Sequence, residues 1–352
     1  MHMAVLHNKK SKKELIKILN NENFERITLS FYRYVKIKNL NNLRDTIYKD
    51  FESLKILGRI YLAKEGINAQ ISLPENNLLK FQKYLNSHHE LKDMELKFAM
   101  DKKISFLKLI VRLKKEIVAY KISENDYDIS VTGKHLNAKK FNDMMELDNT
   151  VVVDMRNHYE SEVGRFENAI CPDVDASENL LSSTKKLLKK HKQDNVLLYC
   201  TGGIRCEKAS SYLIKNNFKN VYQLKGGIIQ YAHQVKKNKL KSKFKGKNFV
   251  FDNRLGERIT KEIISTCHQC KNLCDDHTNC ANDACHLLFI QCKKCQKKYN
   301  GCCSSDCSNI QKLPIEKQKF LRKNNPNLAA PLLNKNRDRL RPKLKDLIKK
   351  NN

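Results

Sequence analysis

The sequence contains no apolar stretch that approaches the ~20 residues needed for a membrane-spanning helix. Its start intersperses lysines, Lys9, Lys10, Lys12 and Lys13 among them, with short apolar steps, and it has no hydrophobic region typical of an export signal. Prolines number only 6 and low-complexity tracts are lacking, which argues against a disordered or fibrous chain. We therefore expect a folded, cytoplasmic protein with no membrane partner.

Acidic residues are scarce relative to basic ones. The chain has 38 Asp and Glu against 68 Lys and Arg, which gives a formal net charge of +30. A field of this sign attracts polyanions and steers their approach, so nucleic acid is the first partner to consider. The alternative is the codon bias of an AT-rich genome, which raises lysine content without selection for binding. The excess is large enough that we assign a function to part of the basic surface.

A chain of 352 residues is too long for one ordinary core, and its composition changes along its length. We predict an α/β multidomain protein that begins with a ferredoxin-like α+β domain, residues 1–125. Its segments alternate in the order β-α-β-β-α-β, with strands predicted at 27–35, 58–63, 67–73 and 95–99 and helices at 40–57 and 78–85.

The middle of the chain, residues 126–240, has a different pattern. Short β-branched and apolar runs at 151–153, 196–199 and 221–224 alternate with helical stretches, notably 178–190 and 207–216. This alternation predicts a doubly wound parallel α/β sheet, in which chemistry takes place beyond the carboxyl ends of the strands. A cysteine-rich, metal-binding module at 241–310 and a basic carboxyl-terminal tail at 311–352 follow.

Cys200 is the candidate nucleophile of the parallel-sheet domain. It follows a predicted strand and opens the loop CTGGIR, which ends at Arg205. The backbone of this loop can curl so that its amides point at the sulfur, while Arg205 and the start of the next helix favour the thiolate. The residues of this cradle for an anion or a persulfide are Thr201, Gly202, Gly203 and Ile204.

Two other interpretations of this loop are weaker. Cysteine phosphatases resemble it but place five residues between cysteine and arginine, whereas four separate Cys200 from Arg205, so the smaller loop favours sulfur over phosphate. An inert core thiol would need neither the two glycines nor the arginine. Cys206, in the first turn of the next helix, is predicted to pack rather than to resolve a persulfide.

Ten of the 13 cysteines lie within a short segment near the end of the chain. Two Cys-x-x-Cys pairs in a reducing compartment are a strong signal for a metal, and thiolate quartets favour one or two structural zinc ions over an iron–sulfur cluster or disulfides. We predict that the metal contributes to the folding of this segment. The candidate ligands are Cys267, Cys270, Cys274, Cys280, Cys285, Cys292, Cys295, Cys302, Cys303 and Cys307.

Several stretches together resemble a known family. Residues 153–156 (VDMR), the Cys200 loop and the closing 224–228 (LKGGI) are similar to rhodanese domains. With 58–72 (GRIYLAKEGINAQIS), 111–118 (VRLKKEIV) and the segment from Cys267 to Cys292, nearly the whole chain resembles the bacterial rhodanese-domain tRNA uridine hydroxylases.

This resemblance implies a tRNA-modifying oxidoreductase that hydroxylates the anticodon wobble uridine to 5-hydroxyuridine, with molecular oxygen and an unidentified reductant. It also implies that Cys200 is essential, with Arg205 stabilising its anionic form. By the same resemblance the ferredoxin-like domain, residues 1–125, is a candidate tRNA-binding domain. The sequence shows no flavin or nicotinamide fingerprint, no P-loop and no iron-binding facial triad in the catalytic region. Two alternatives stay open: a sulfurtransferase that passes sulfur to a thiol or to tRNA, and a non-catalytic, zinc-dependent RNA-binding protein.

Overall fold

The structure is a computed structural model that describes residues 10–331. Its contacts divide the chain into two compact units. The first unit comprises the residues through 157, together with 168–243 and 250–257. The second comprises 158–167, 244–249 and the residues from 258 on. The division into domains at residues 125, 240 and 310 stays a prediction, and the basic segment from residue 332 lies outside the described residues.

The secondary structure follows the chain in this order. Up to residue 157 the elements are α1 (Lys12–Asn20), β1 (Arg26–Tyr34), α2 (Leu40–Ser53), β2 (Leu57–Ala63), β3 (Gly66–Pro74), α3 (Leu78–Ser87), β4 (Lys97–Phe98), β5 (Leu109–Leu113), β6 (Lys134–Leu136), α4 (Ala138–Met144) and β7 (Thr150–Asp154). From residue 158 they are α5 (His158–Val163), β8 (Gly164–Phe166), α6 (Leu180–Leu187), β9 (Asn195–Tyr199), α7 (Ile204–Lys215), β10 (Asn220–Leu224), α8 (Gly227–Lys237), β11 (Phe244–Asn248), β12 (Glu257–Arg258), β13 (His277–Asn279), β14 (Leu288–Ile290), α9 (Lys293–Lys298), α10 (Ser305–Gln311), α11 (Ile315–Asn324) and α12 (Pro326–Ala329).

The first sheet of the first unit confirms the ferredoxin-like prediction. Its strand order is β4-β1-β3-β2-β5, in which β1, β2, β3 and β4 pair antiparallel and β5 is added parallel to β2. Alternate residues such as Phe31 and Ile60 are buried on one face and belong to one core with Phe51 of α2 and Phe81 of α3. The helix α2 begins where the Asn39 side chain accepts a hydrogen bond from the Asn42 amide at 3.2 Å.

The second sheet of the same unit confirms the prediction of a doubly wound parallel sheet. Its order is β6-β10-β9-β7 and all three pairings are parallel. The helices α6 and α7 contact each other, as do α4 and α8. The core includes Val153, Leu198 and Leu213, which are buried. The carboxyl ends of β7 and β9 place Asp154 and Cys200 at one edge of the sheet, as parallel pairing requires.

The second unit combines a few buried aromatic side chains, such as Phe166 and Phe244, with a group of buried cysteines. The strands β8 and β11 pair antiparallel, and β13 and β14 form a second antiparallel pair. One buried cluster of this unit consists largely of cysteines around Phe289 and Ala330. Within residues 10–331, none of the helices is both long and apolar enough to cross a membrane.

Candidate active site and cysteine quartets

The Cys200 side chain is fully buried at the point where β9 ends and α7 begins. Gly203 caps α7 with a φ of +98°, a conformation that side-chain-bearing residues rarely adopt, and its amide donates to the Cys200 Sγ at 3.1 Å. The sequence predicts that Gly202 and Gly203 let the loop curl. In the structure it is Gly203 that adopts the positive φ. The sulfur accepts from the first backbone amides of a helix, where an anion is stabilised.

The electrostatics of the loop favour the thiolate. Burial alone would raise the pKa of the Cys200 thiol, but a hydrogen bond from the Cys206 thiol, the charge of Arg205 and the amides of Arg205 and Gly203 together lower it to about 6. A thiol with this pKa is mostly ionised at neutral pH and reacts as a nucleophile or carries sulfur. Burial beside the Cys200 sulfur raises the pKa of Cys206, so Cys206 stays protonated and donates.

A second glycine pair fixes the back of the loop. A Cβ at Gly227, whose φ is +65°, would lie 2.5 Å from the Cys200 carbonyl oxygen, so only glycine fits there. The amide of Ile228 donates to the Cys200 carbonyl at 2.9 Å, and the amide of Ile229 donates to the Thr201 carbonyl at 3.1 Å. The closing motif predicted at 224–228 therefore holds the Cys200 loop in place.

Arg205 is nearly buried beside the loop. Its Nη2 donates to the Thr201 hydroxyl at 3.2 Å, and its guanidinium carbon lies 5.9 Å from the centre of the Phe251 ring. Tyr120 donates to the Arg205 carbonyl at 3.1 Å, which anchors the first turn of α7. The Arg205 charge is thus held in the first turn of the helix that follows Cys200.

Asp154 and Arg156 form a buried ion pair at the edge of the parallel sheet. The Arg156 guanidinium donates twice to the Asp154 carboxylate, at 2.8 and 2.6 Å, and the Tyr199 hydroxyl donates to the same carboxylate at 2.7 Å. All three side chains are buried. The arrangement ties β7 to β9, which is a structural role.

A cavity of about 360 Å³ lies within the first unit, next to the loop. Its lining includes the loop residues Cys200, Thr201, Gly202, Ile204 and Arg205. Further lining comes from Lys97, from residues 250–252 and from polar residues of β1, β2 and β3. Its volume is in the range of ~300–1000 Å³ that is typical of small-molecule sites. Sequence reasoning identified the Cys200 loop but not the rest of the cavity lining, because segments far apart in the sequence supply those residues.

Glu207 and Lys97 are charged groups beside the cavity that sequence reasoning also missed. Burial would raise the pKa of Glu207, but hydrogen bonds from His135, Tyr32 and Gln223 outweigh it and lower the pKa. The Tyr32 hydroxyl donates to Glu207 at 2.9 Å, and the Lys97 ammonium lies 4.3 Å from the centre of the Tyr32 ring. Burial lowers the pKa of Lys97, against the pull of neighbouring negative groups.

Lys208 joins α7, the helix that follows Cys200, to the ferredoxin-like sheet. Its ammonium lies 2.8 Å from a carboxylate oxygen of Glu65 and 3.0 Å from one of Glu116, and its side chain has no exposed surface. Tyr127 also donates to Glu65, at 3.0 Å. This buried cation fixes the position of the helix relative to the sheet that lines the cavity.

Eight of the ten cysteines predicted as ligands fall into two groups of four. Within each group all four sulfurs lie within 4.8 Å of one another, so each group is able to hold a metal ion. The first quartet is Cys267, Cys270, Cys292 and Cys295, and the second is Cys280, Cys285, Cys303 and Cys307. Cys274 and Cys302 belong to neither quartet, which the spacing in the sequence did not reveal.

The histidines of this segment stand outside both quartets. His268 lies between the two cysteines of a Cys-x-x-Cys pair, yet its Nε2 is 2.7 Å from the Glu162 carboxylate and its Nδ1 accepts from the Ile290 amide at 3.2 Å. Both the His268 and Glu162 side chains are fully buried. His268 is therefore used as a structural hydrogen-bonding group within the second unit.

Three family models match the chain. Residues 26–117 match the UPF0176 acylphosphatase like domain, residues 137–234 the Rhodanese-like domain and residues 245–308 the Rhodanase C-terminal region. The first match covers the ferredoxin-like sheet, and the second covers β7, β9 and β10 of the sheet that carries Cys200. The third covers both cysteine quartets.

Curated relatives match almost the whole chain. A protein of Leptospira interrogans serovar Lai is 52% identical over 347 residues, which are 97% of this chain and 93% of that protein. Proteins of Photorhabdus laumondii and Escherichia fergusonii are 47% and 45% identical over 340 residues, which are 96% of this chain and 96% and 97% of theirs. All three relatives are named tRNA uridine(34) hydroxylase.

Proposed function

We propose that this chain, which belongs to the family of the tRNA uridine(34) hydroxylases, converts the wobble uridine of tRNA to 5-hydroxyuridine. The observation that carries the proposal is the Cys200 thiol, whose pKa of about 6 makes it a thiolate at neutral pH and which lines a cavity of about 360 Å³. Enzymes that modify a base take it out of the stack into a pocket of this kind.

The reaction defines two further partners. Replacing the C5–H bond of uracil by C5–OH with molecular oxygen places one oxygen atom in the product and the other in water. This takes two electrons and two protons, so the proposal includes oxygen and a reductant. Cys200 is the essential sulfur in this scheme, either as the thiolate or as a persulfide. The Gly203 amide and Arg205 stabilise its negative charge.

The tRNA backbone is the proposed partner of the basic surface. The net charge of +30 gives a long-range attraction for an RNA polyanion. The ferredoxin-like sheet, whose strands line the cavity at Cys200, is the candidate surface for the anticodon arm. We therefore expect binding of tRNA to weaken steeply as salt concentration rises.

Zinc is the proposed ion for both quartets. A zinc ion bound by four thiolates at ~2.3 Å requires sulfurs about 3.8 Å apart. The Cys270 and Cys292 sulfurs are 3.6 Å apart, and the Cys303 sulfur is 3.7 Å from those of Cys285 and Cys307. When bound, zinc would stabilise the fold of the second unit. The tRNA substrate and reduced thiols support a cytoplasmic location.

A sulfurtransferase is the second candidate, because a thiolate in a loop with only four residues before Arg205 also suits persulfide chemistry. It would work without oxygen and would leave a thiolated product rather than a hydroxylated one. The experiment that separates the candidates is nucleoside mass spectrometry of tRNA from cells that lack the gene, rescued with the wild-type chain or with Cys200→Ser.

Under the proposal, 5-hydroxyuridine and its derivatives disappear without the gene, and only the wild-type chain restores them. Cys200→Ser should remain folded and should still bind tRNA, since serine nearly matches cysteine in shape but carries no transferable sulfur. Loss of a thiolated nucleoside with hydroxylation intact would replace the hydroxylase by the sulfurtransferase. Full rescue by Cys200→Ser would support the non-catalytic RNA-binding alternative.

A further inference from the structure

One face of the ferredoxin-like sheet is polar although it lines the cavity. Side chains alternate across a strand, so the residues between the core residues of β1, β2 and β3 lie on the opposite face. Gln70 on β3 pairs with Ser30 on β1 and with Arg59 on β2, and Asn68 pairs with Tyr32 and Tyr61 in the same way. All six of these residues line the cavity.

This polar face meets the Cys200 loop. A Cβ built on Gly202 would lie 4.0 Å from the Ser30 hydroxyl, and one on Gly203 would lie 2.8 Å from the Tyr32 hydroxyl. A larger residue at Gly203 would therefore collide with the face. A flat, polar ligand that binds to this face is consequently within reach of Cys200.

The orientation of two amides on the face follows from a single backbone carbonyl. The Ile117 carbonyl can only accept, so the Asn68 side chain must direct its Nδ2 toward it, at 3.3 Å. The Asn68 Oδ1 is then an acceptor, and Gln70 must supply its Nε2, at 2.9 Å. This chain of bonds fixes Gln70 with its Oε1 as an acceptor. Within residues 10–331 that oxygen has no hydrogen-bond partner.

We propose that Gln70 selects uridine over cytidine at the modified position, with Asn68 as the residue that positions it. The inference rests on the proposed function, because it concerns the base that enters the cavity. Uracil carries a hydrogen on N3 that the Gln70 Oε1 can accept, and cytosine has a lone pair there. Cytosine would set two acceptors against each other and leave both without a partner. A base held at N3 keeps its C5–C6 side free for the reaction.

The test measures binding rather than turnover. Full-length protein is titrated against two tRNA transcripts that differ only by U or C at position 34, so that the phosphate contacts cancel in the ratio of the two Kd values. We expect the wild-type chain to prefer U34 by about 10-fold, in line with other base-specific contacts. Gln70→Ala should reduce this preference to near unity.

Two further variants separate selection from folding. Asn68→Ala keeps Gln70 but frees its amide to rotate, so the preference for U34 should fall while affinity for the two tRNAs averaged together changes little. Gln82→Ala is the matched control, because Gln82 lies on α3, which packs on the apolar face of the sheet. It should keep the wild-type preference.

The outcomes distinguish this inference from the proposed function. Equal binding of U34 and C34 by the wild-type chain, or an unchanged preference in folded Gln70→Ala, would overturn the role of Gln70 even if the chain restores 5-hydroxyuridine in cells. Failure of the wild-type chain to restore 5-hydroxyuridine would overturn the proposed function, whatever the ratio of Kd values.

Discussion

Cys200 and the cysteines of the two quartets carry the same thiol group but have different neighbours. Cys200 is surrounded by a glycine amide, an arginine and the protonated Cys206, and these groups lower its pKa to about 6 without any metal. The quartet cysteines are surrounded chiefly by one another, with sulfurs 3.6 to 3.7 Å apart. A single cysteine whose thiolate is stabilised by peptide dipoles reacts as a nucleophile, whereas four cysteines together can act as metal ligands.

The two units also differ in the interactions that stabilise them. The first unit has two apolar cores, built on Phe31, Phe51 and Phe81 in one sheet and on Val153 and Leu198 in the other. In the second unit one buried cluster is largely cysteine around Phe289, and a smaller apolar contact joins Phe166 and Phe244, whose ring centres are 5.4 Å apart. Four thiolates that lie this close together repel one another, so we expect the folding of the cysteine cluster to depend on a bound metal.

The largest expected effect follows from that dependence. Cys285→Ser removes one ligand from the second quartet, and structural zinc contributes on the order of 10 kcal/mol to the folding of small metal-binding domains. We expect the variant to lose one of two bound ions and the second unit to unfold at a much lower temperature. Metal content by mass spectrometry and protease digestion of that unit measure both effects.

Cys274→Ser and Cys302→Ser are the matched controls, since both residues are buried near the quartets but belong to neither. They should leave two ions bound per chain. A chelator should unfold the second unit and leave the first unit intact. Full retention of metal by Cys285→Ser, or an unchanged melting profile in chelator, would contradict the assignment of the quartets.

The sequence predicts the parts of the molecule that local patterns determine. The strands at 151–153, 196–199 and 221–224 were each placed within one residue of the observed ends, because buried β-branched runs are local signals. No local pattern in the sequence predicts β5 or β6, because these strands depend on pairing with distant partners. The role of the polar face around Gln70 in lining the cavity was not predicted either, since polar residues that alternate with apolar ones normally indicate a solvent-exposed face.

The cysteine quartets show the same limit. Two Cys-x-x-Cys pairs were visible in the sequence, but the structure combines them into one quartet and builds the other from Cys280, Cys285, Cys303 and Cys307. Which cysteines come together in a quartet depends on how β13, β14 and α9 fold back on one another. The spacing of cysteines along the chain identifies the candidate ligands but not which of them form a quartet together.

An intermediate effect is expected in the first unit, which relies on ordinary packing and ion pairs. Lys208→Met removes a fully buried cation and leaves Glu65 and Glu116 without it. Breaking a buried pair costs ~3–5 kcal/mol, and because both carboxylates are about one-fifth exposed we expect about 2 kcal/mol. Urea denaturation of the zinc-loaded protein measures this loss.

The control for Lys208 is an exposed pair in the same unit. Lys139 lies 2.7 Å from Asp143, and both side chains are more than half exposed, so Lys139→Met should change the free energy of unfolding by no more than ~1 kcal/mol. Equal effects of the two substitutions would mean that Lys208 does not anchor α7 to the ferredoxin-like sheet.

The smallest expected effect concerns Cys206, which the sequence predicted only to pack. Its thiol donates a hydrogen bond to the Cys200 sulfur and favours the thiolate, so Cys206→Ala should raise the pKa of Cys200 above about 6. Alkylation by iodoacetamide requires the thiolate, so its rate at Cys200 falls as pH drops through that pKa. At pH 6 the variant should react about two- to tenfold more slowly than the wild type.

Peptide mass spectrometry at Cys200 reads this rate across pH, and Cys171→Ala serves as the matched control because it removes a cysteine that is not part of the loop. In the control the midpoint should stay at about 6. If Cys206→Ala also keeps that midpoint, Cys206 acts by packing alone, and the lowered pKa of Cys200 must come from Arg205 and the backbone amides. A raised midpoint would mean that a neighbouring cysteine tunes Cys200 by hydrogen bonding, with no metal ion needed at that site.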